Sequence, residues 1–306
     1  MTTYVFPGQG SQKVGMGGEL FAAFPDLVSA ADAILGYSVA DLCASDDGRL
    51  NQTHYTQPAL YVVNALSYLQ KLQADDIKPH YVAGHSLGEY SALVASESID
   101  YETAVALVGK RASLMQQAVP EGKGGMAAIL GLEAAEVVEG CAKAANGQVV
   151  EAVNFNSPEQ TVIGGESDAV DRAMEVLSEM WAKRAIKLAM SVPSHCSLLK
   201  GISVEMAGAL NAASFSEAVI PVLHNVSADV CSDVGFTRET VAEQLYKPVR
   251  WVETIQALES RGADTIIEFG PGKVLFGLNR RINRKLGNLT INDMKSLEKA
   301  LTAAKG

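Results

Sequence analysis

The chain has 306 residues, of which 48% are hydrophobic and 20% are charged, so it can bury a substantial core in one large domain or two smaller ones. The formal net charge of −10 disfavours nucleic acid as a partner. No apolar run approaches the roughly 18 residues of a membrane span, and the N-terminus lacks the basic and apolar segments of a signal peptide. We therefore expect neither a membrane segment nor a signal peptide.

The four cysteines, Cys43, Cys141, Cys196 and Cys231, lie far apart and form no Cys-x-x-Cys pair. Free thiols in a reducing cytoplasm fit this spacing best. No His-Glu-x-x-His motif or cysteine cluster indicates a metal site. We expect a cytoplasmic protein that binds no metal.

A glycine-rich loop follows the first predicted strand, Tyr4–Phe6. The Gly8-Gln9-Gly10 segment is not a dinucleotide-binding turn, because Lys13 occupies the position of the third glycine. It can instead offer main-chain N–H groups to a ligand. Beyond it, the pattern predicts one or two helices over 19–35 and an amphipathic helix that Gln57-Pro58 opens.

The segment 81–90 has the pattern of a short apolar strand, a Gly-x-Ser-x-Gly turn and the start of a helix. Gly84 and Gly88 let the flanking backbones pass close together, and Ser86 between them is expected to be strained and exposed. The serine would lie at the N-terminus of the following helix, where free N–H groups and the helix dipole favour developing negative charge. A serine nucleophile needs this arrangement in acyl transfer.

The composition changes in the middle of the chain. A glycine-rich linker over 122–125 precedes predicted elements in the order β-α-β-β-α-β, which is the signature of a ferredoxin-like unit. Within this unit, Gly164-Gly165 is expected to end the third strand. We expect the unit to occupy 124–190 as an insertion into a larger α/β domain formed by 1–123 and 191–306, with the binding cleft between them.

After the insertion, strands and helices alternate in the manner typical of a mostly parallel sheet. Strands are predicted over 221–226 and 265–269. Helices are predicted over 197–213, 237–246, 252–260 and 273–285.

Five histidines are available to activate a serine hydroxyl, which is a poor nucleophile without a base. His195 is preferred because it lies in a loop before a helix and downstream of Ser86. His85 adjoins the serine, but neighbouring side chains at such a turn diverge. His80 precedes the strand on the wrong side of the sheet, and His224 is a weaker rival inside an apolar strand.

No carboxylate stands out as the third member of a catalytic triad, so a dyad of Ser86 and His195, with the histidine oriented by a neutral acceptor, stays open. Cys196 is interpreted as a small buried residue that points away from His195. The N–H of Leu87 and the Gly8-Gln9-Gly10 loop can supply an oxyanion hole, in which each donor contributes about 3 kcal/mol.

Five motifs occur together and in order, over residues 6–12, 84–90, 153–158, 192–195 and 268–272. With them the chain resembles, from end to end, the malonyl-CoA:acyl carrier protein transacylases of fatty-acid synthesis. The resemblance implies an α/β-hydrolase-like large subdomain with a parallel sheet and an inserted ferredoxin-like small subdomain. It also implies malonyl-CoA as substrate, acyl carrier protein as partner and no permanently bound cofactor, and we expect a monomer.

The same resemblance assigns roles to individual residues. Ser86 would be the nucleophile, and His195 the general base and acid. The main-chain carbonyl of Gln244 would orient the imidazole, and the N–H groups of Gln9 and Leu87 would form the oxyanion hole.

The resemblance changes the interpretation of Arg111, which lies on a predicted helix over 101–119 and taken alone would be a solvent-exposed residue. A buried guanidinium can bind, through two hydrogen bonds, the free carboxylate that malonyl has and acetyl lacks. Ser194 and Asn156 would line the same pocket. Discrimination on the order of a thousandfold against acetyl is expected of such a site.

Because carrier proteins are usually acidic, this acidic chain needs a local basic surface that binds the carrier protein. The first choice is a set of four basic residues expected on one helix: Arg280, Arg281, Arg284 and Lys285. The second choice lies across the cleft, at Lys183, Arg184 and Lys187.

Three alternatives stay open. A serine thioesterase or hydrolase would release the free acid, although no triad carboxylate favours it. A trans-acting acyltransferase of a polyketide synthase would use the same chemistry on a different carrier. A carrier-binding module without catalysis is disfavoured by the presence of Ser86, His195 and Arg111.

Overall fold

The computed structural model describes residues 1–120, 122–190 and 192–303, which form two β-sheets surrounded by helices. The larger sheet is parallel, and the smaller one is antiparallel. This is the predicted combination of an α/β-hydrolase-like subdomain and a ferredoxin-like subdomain, and the fold class is confirmed.

The described residues contain nine strands and thirteen α-helices. The strands are β1 (Thr2–Phe6), β2 (Tyr81–Gly84), β3 (Gly124–Leu130), β4 (Val150–Ser157), β5 (Gln160–Glu166), β6 (Arg184–Lys187), β7 (Val222–Leu223), β8 (Thr265–Phe269) and β9 (Gly287–Ile291). The helices are α1 (Gly18–Ala23), α2 (Pro25–Leu35), α3 (Val39–Ala44), α4 (Thr53–Ala74), α5 (Gly88–Ala95), α6 (Tyr101–Ala118), α7 (Ala134–Ala144), α8 (Ser167–Glu179), α9 (Lys200–Ala212), α10 (Val234–Glu243), α11 (Trp251–Ser260), α12 (Val274–Ile282) and α13 (Met294–Ala303).

The larger sheet has the strand order β7-β2-β1-β8-β9 and is buried on both faces. Since side chains alternate along a strand, Tyr4 and Phe6 of β1 pack into one hydrophobic cluster and Val5 into another. The first cluster includes residues of α4, α5 and α6, and the second includes Trp251 of α11 and Leu275 of α12. Such double burial is typical of a parallel sheet with helices on both sides.

The smaller sheet has the order β4-β5-β3-β6, with α7 and α8 packed on one face. Alternation along β3 puts Ala127 and Ile129 into the core with these helices, and turns Met126 and Ala128 to the opposite face. That opposite face looks towards the larger subdomain. The boundaries 124–190 stay a prediction, and the predicted return of the chain at residue 191 lies outside the described residues.

The two subdomains are joined by main-chain hydrogen bonds as well as by the chain itself. The Phe155 N–H donates to the Val249 oxygen, and the Val249 N–H donates to the Val153 oxygen, both at 2.9 Å. Val249 lies just before α11, so β4 of the small sheet is fixed against the large subdomain. This fixes the position of the cleft between them.

Three local expectations are wrong. The first concerns the start of α4. The helix begins at Thr53, so Pro58 lies inside it rather than opening it. A 3-10 turn over 49–51 precedes the helix, and the Thr56 hydroxyl donates to the Leu50 carbonyl of that turn at 2.7 Å. Gly164-Gly165 does not end β5. A Cβ at Gly165 would lie 2.1 Å from the Val149 oxygen, so glycine here permits close pairing of β4 and β5.

The third wrong expectation concerns the helix predicted over 273–285. Helix α12 ends at Ile282, because Asn283 adopts an extended conformation and its side chain accepts from the Lys285 N–H at 2.8 Å. The final elements β9 and α13 were not predicted, and β7 is only two residues long.

Candidate active site

Ser86 lies in a sharp turn between β2 and α5, with a φ of 53°. Few residues other than glycine adopt this left-handed conformation, so the backbone here is strained. The turn packs without spare room: a Cβ at Gly84 would lie 2.0 Å from the Gly88 carbonyl, and one at Gly88 would lie 2.0 Å from the Phe6 oxygen. The geometry is that of a nucleophile elbow.

Asn225, which follows strand β7 next to β2 in the sheet, holds this turn. Its Oδ1 accepts from the Ser86 N–H at 2.7 Å, and its Nδ2 donates to the Gly84 oxygen at 2.6 Å. Asn225 has no exposed surface. The two bonds tie both ends of the turn to one side chain and so help to hold the strained serine.

His195 lies beside the serine, with its Nε2 2.7 Å from Ser86 Oγ. Its Nδ1 lies 2.6 Å from the main-chain oxygen of Gln244. Because a carbonyl oxygen can only accept, this contact assigns the proton to Nδ1 and leaves Nε2 to accept from the serine hydroxyl. Burial and then the nearby Arg111 charge lower the pKa of His195 to about 3, so the imidazole is a neutral base at physiological pH.

The two predicted oxyanion donors lie beside the cavity that also contains Ser86 and His195. Gln9 and Leu87 both line it, and Leu87 immediately precedes the first residue of α5. The loop carrying Gln9 approaches the turn closely, since a Cβ at Gly8 would lie 2.5 Å from the His85 oxygen. Their role in stabilising an oxyanion stays a prediction.

Arg111 has no exposed surface, so the expectation drawn from its helix alone is wrong. Its Nη2 donates to Ser86 Oγ at 3.2 Å and to Gln244 Oε1 at 2.9 Å, and its Nη1 donates to Gln57 Oε1. The guanidinium also lies 5.8 Å from the centre of the Tyr90 ring. Burial lowers the pKa of Arg111 from its usual value, while the charge of Glu89 acts in the opposite sense.

A buried polar network underlies the serine and the arginine. The Gln244 Nε2 donates to the Ser86 oxygen at 2.9 Å and also to Glu89 Oε2. The other oxygen of Glu89 lies 2.7 Å from His224 Nδ1, and both side chains are fully buried. His224 is therefore a partner of Glu89 on the elbow helix and not a rival base.

A cavity of about 350 Å³ lies between the two subdomains. The serine turn and the glycine-rich loop form one wall, and the apolar side of α12 contributes Val274, Leu275 and Leu278. The small subdomain contributes the opposite wall, which includes Met126 and Asn156. The cavity thus has polar groups at its base and apolar walls, as expected for a site that encloses a small ligand.

Asn156 and Ser194, which the resemblance placed near the acyl group, both line this cavity. Asn156 Oδ1 lies 2.8 Å from His85 Nε2, so the two side chains connect β4 to the serine turn. The Ser194 hydroxyl contacts the Met126 sulfur at 3.5 Å. Cys196 is fully buried, and burial raises the pKa of its thiol to about 12, in line with its interpretation as an inert core residue.

The motif over 268–272 positions α12. The Glu268 carboxylate accepts from the N–H groups of Leu275 at 3.0 Å and Phe276 at 2.8 Å, which satisfies free donors in the first turn of the helix. Glu268 is buried, and this burial raises the pKa of its carboxyl group. The cap holds the helix that forms one wall of the cavity.

The basic residues expected to receive a carrier are only partly on one helix. Arg280 and Arg281 lie in the last turn of α12, whereas Arg284 and Lys285 follow the helix end, which corrects the prediction. All four are exposed, and none forms an ion pair with another described residue. The second candidate surface for the carrier, Lys183, Arg184 and Lys187, is partly neutralised by two ion pairs. Lys183 pairs with Glu159 at 3.4 Å, and Lys187 pairs with Asp171 at 2.6 Å.

The structure adds Gln57, Glu89, Asn225 and the side chain of Gln244 to the residues around the serine. The sequence placed Gln57 only at the start of a predicted helix, which gave no signal for a role beside the serine. The others gave no local signal, because their partners are more than a hundred residues away in the chain. Within the described ranges, no cluster of histidine, cysteine or carboxylate side chains is arranged to hold a metal ion. None of the helices in these ranges combines the length and the apolar character that a membrane span needs.

Comparison with known proteins agrees with this geometry. The family described as the acyl transferase domain matches residues 3–295. A malonyl CoA-acyl carrier protein transacylase from Salmonella typhimurium is 43% identical over 303 residues, which cover 98% of each chain. The structure of an acyl carrier protein S-malonyltransferase from Vibrio cholerae is 44% identical, with a TM-score of 0.93 over 98% of this chain and 99% of that one.

A further solved structure shows a malonyl transacylase in complex with a type II polyketide acyl carrier protein. It is 42% identical and has a TM-score of 0.96 over 99% of both chains. Identity at this level over nearly the whole length shows the family, and it agrees with Ser86 and His195 at one cavity and with Arg111 bonded to the serine hydroxyl. The chain belongs to the malonyl-CoA:acyl carrier protein transacylases.

Proposed function

We propose that this protein transfers the malonyl group from malonyl-CoA to the phosphopantetheine thiol of acyl carrier protein, through a malonyl ester on Ser86. The observation that carries the proposal is the position of Ser86 Oγ, 2.7 Å from the imidazole of His195 and 3.2 Å from the guanidinium of Arg111. A base and a carboxylate-binding cation thus meet at one hydroxyl. Family membership over nearly the full chain supports the same activity.

In the first half-reaction, Ser86 Oγ attacks the thioester carbonyl carbon as His195 Nε2 takes the hydroxyl proton. The N–H groups of Gln9 and Leu87 stabilise the negative oxygen of the tetrahedral intermediate. The carbon–sulfur bond then breaks, and the imidazolium gives its proton to the departing CoA sulfur. The main-chain oxygen of Gln244 accepts from the Nδ1–H in both the neutral and the protonated imidazole, so Nε2 is the nitrogen that takes and returns the proton.

The second half-reaction follows the same path in reverse with a different thiol. The carrier thiol gives its proton to His195 Nε2, and its sulfur attacks the ester carbonyl. The bond to Ser86 Oγ breaks, and the serine recovers the proton from the imidazolium. No group on the enzyme is changed at the end of the cycle.

The substrate carboxylate provides the selectivity. A malonyl group on Ser86 places a carboxylate within reach of Arg111, whose Nη2 already contacts the serine oxygen. Charge-assisted bonds in a buried site are strong, whereas an acetyl group leaves the guanidinium without an anionic partner. Discrimination on the order of a thousandfold is expected.

The carrier protein is proposed to approach the end of α12. This helix lines the cavity with its first residues and carries Arg280 and Arg281 in its last turn, so a bound acidic partner would lie near the cavity. The unpaired state of this cluster favours it over the second choice, where Lys183 and Lys187 are paired. We further propose the subdomain limits 1–123 with 191–306 and 124–190, and a cytoplasmic location.

The test is intact-mass analysis of the wild-type protein and of Ser86→Ala after exposure to malonyl-CoA or acetyl-CoA. We expect a malonyl adduct on the wild type only, little acetyl adduct, and loss of the adduct to added holo carrier protein. Release of free malonate with no carrier present would indicate a hydrolase, and no adduct at all would indicate a carrier-binding module.

The pathway is a separate question, because one of the related structures contains a polyketide carrier. We propose fatty-acid synthesis as the destination of the malonyl group. Transfer from the malonyl-enzyme to purified fatty-acid and polyketide carriers, compared at equal concentration, tests this: a marked preference for the polyketide carrier would overturn it.

A further inference from the structure

Arg111 is held in the interior by neutral groups alone. Its Nη1 donates to the Gln57 carboxamide, and its Nη2 donates to the Gln244 carboxamide and to the Ser86 hydroxyl. No carboxylate among the described residues lies within ion-pair distance of the guanidinium, and its Nε has no hydrogen-bond partner there. A fully buried cation without a counterion is unusual, because burial of an unpaired charge is strongly unfavourable.

Both carboxamides are fixed in the orientation that presents oxygen to the arginine. The Gln57 Nε2 is directed to the Met115 sulfur at 3.3 Å. The Gln244 Nε2 donates to the Ser86 oxygen and to Glu89, which leaves only Oε1 for Arg111. Gln57 and Gln244 are 1% and 0% exposed, so both amides are almost entirely removed from bulk solvent.

The buried carboxylate of Glu89 lies on the far side of the Gln244 amide. Its oxygens are engaged by the Gln244 amide, the Asn225 N–H and His224. The amide therefore separates the Glu89 carboxylate from the guanidinium and contacts both. A carboxylate in place of either glutamine would instead form a permanent ion pair with Arg111.

We infer that the neutrality of Gln57 and Gln244 determines acyl specificity: the two amides orient Arg111 without neutralising it, so the free carboxylate of the acyl group supplies the missing counterion. Two of the three bonds that place the guanidinium come from these amides, and the third goes to the atom that carries the acyl group. The inference rests on the proposed role of Arg111 in binding the malonyl carboxylate. Gln57 and Gln244 are positioning residues that act through the arginine.

The test compares Gln57→Glu with Gln57→Met. The first replaces the amide with a carboxylate of the same shape, and the second removes the acceptor without adding a charge. For each variant, the rates of Ser86 acylation by malonyl-CoA and by acetyl-CoA are measured on one preparation, and their ratio is reported. The ratio does not depend on the fraction of folded protein, so a variant that folds poorly still gives an answer.

We expect Gln57→Glu to lower the malonyl-to-acetyl ratio about a hundredfold, mainly through the KM for malonyl-CoA, because an internal carboxylate competes for the guanidinium and repels the substrate. Gln57→Met should lower the ratio by less than about tenfold, since only one neutral hydrogen bond is lost. The matched control is Gln117→Glu, which adds the same charge at an exposed position of α6 and should leave the ratio unchanged.

Equal effects of Gln57→Glu and Gln57→Met, or no effect of Gln57→Glu, would overturn the inference. The variant Arg111→Met distinguishes failure of the inference about the two glutamines from failure of the proposed function. If Arg111→Met abolishes the malonyl preference while Gln57→Glu does not, the function stands and the inference is wrong. If Arg111→Met leaves the preference intact, carboxylate recognition by Arg111 is wrong as well.

Discussion

The Nδ1 atom of His195 lies 2.6 Å from the main-chain oxygen of Gln244, and both residues are buried. This carbonyl replaces the carboxylate of a serine hydrolase triad: it orients the imidazole and contributes only a partial negative charge. Because the acceptor belongs to the main chain, no side-chain substitution at position 244 removes it.

His195→Ala should lower the rate of malonyl-enzyme formation by about 10²- to 10⁴-fold, the usual contribution of a general base. Quenched-flow sampling with intact-mass detection measures this rate. Affinity for malonyl-CoA, measured by calorimetry, should change little, since His195 acts on the proton and not on the acyl carboxylate. A variant with undiminished acylation would exclude His195 as the base.

The pH dependence should reflect the depressed pKa of His195. Burial and the charge of Arg111 lower this pKa to about 3, and only the neutral imidazole accepts the serine proton. Acylation by acetyl-CoA, which carries no acyl carboxylate of its own, should therefore be constant from about pH 5 to pH 8 and fall only in stronger acid. A half-maximal rate near the ordinary histidine pKa would contradict this.

Arg111→Met should move the acid limb of that profile to higher pH. Removing the positive charge takes away one cause of the lowered pKa and leaves burial as the main one. The pKa of His195 should rise, so that protonation inactivates the variant at a less acidic pH than the wild type. Acetyl-CoA is again the substrate, because the variant is expected to bind the malonyl carboxylate poorly. Superimposable profiles would show that the two groups are not coupled.

The serine turn should not tolerate a methyl group at its glycines. An added Cβ at Gly84 or Gly88 would lie 2.0 Å from main-chain atoms that cannot move independently. Each alanine variant should lose about 3 kcal/mol or more of unfolding free energy, as other severe overpacking does. Gly208→Ala is the control: it lies in α9 with open space around it and should gain about 0.5–1 kcal/mol in urea unfolding.

The Glu89–His224 pair should stabilise the fold beneath the active site. His224→Leu removes the hydrogen-bond partner of one oxygen of a fully buried carboxylate, which should cost about 1–3 kcal/mol of unfolding free energy. A double-mutant cycle with Glu89→Gln in urea unfolding should show coupling between the two positions. Additive effects would mean that the 2.7 Å contact contributes nothing specific.

Carrier recognition should depend on the end of α12. Reversing the charge of Arg280 and Arg281 together should raise the KM for carrier protein about tenfold or more, with a weaker dependence on salt than the wild type. Loading from malonyl-CoA should be unchanged. Arg184→Glu is the comparison on the second basic cluster; if it alone raises the carrier KM, the surface that binds the carrier protein lies across the cleft.

Much of the architecture could be predicted because it depends on local patterns. The short apolar runs at Tyr4–Phe6 and Thr265–Phe269 indicated core strands, and the β-α-β-β-α-β order indicated the inserted unit. Errors arose where a residue with a strong local preference was overruled by packing. Pro58 lies inside a helix that burial stabilises, and Gly164-Gly165 allows close strand pairing instead of ending the strand.

The sequence by itself determined which chemical groups are present: a serine in a tight turn, a histidine in a later loop and an arginine on a helix. Only the tertiary structure decided that Arg111 is buried without a counterion, that two glutamines from distant elements hold it, and that His224 binds Glu89. Local spacing specifies helices, strands and turns, because these depend on near neighbours. The environment of a charge depends on which remote segments pack around it, and that is settled only when the whole core forms.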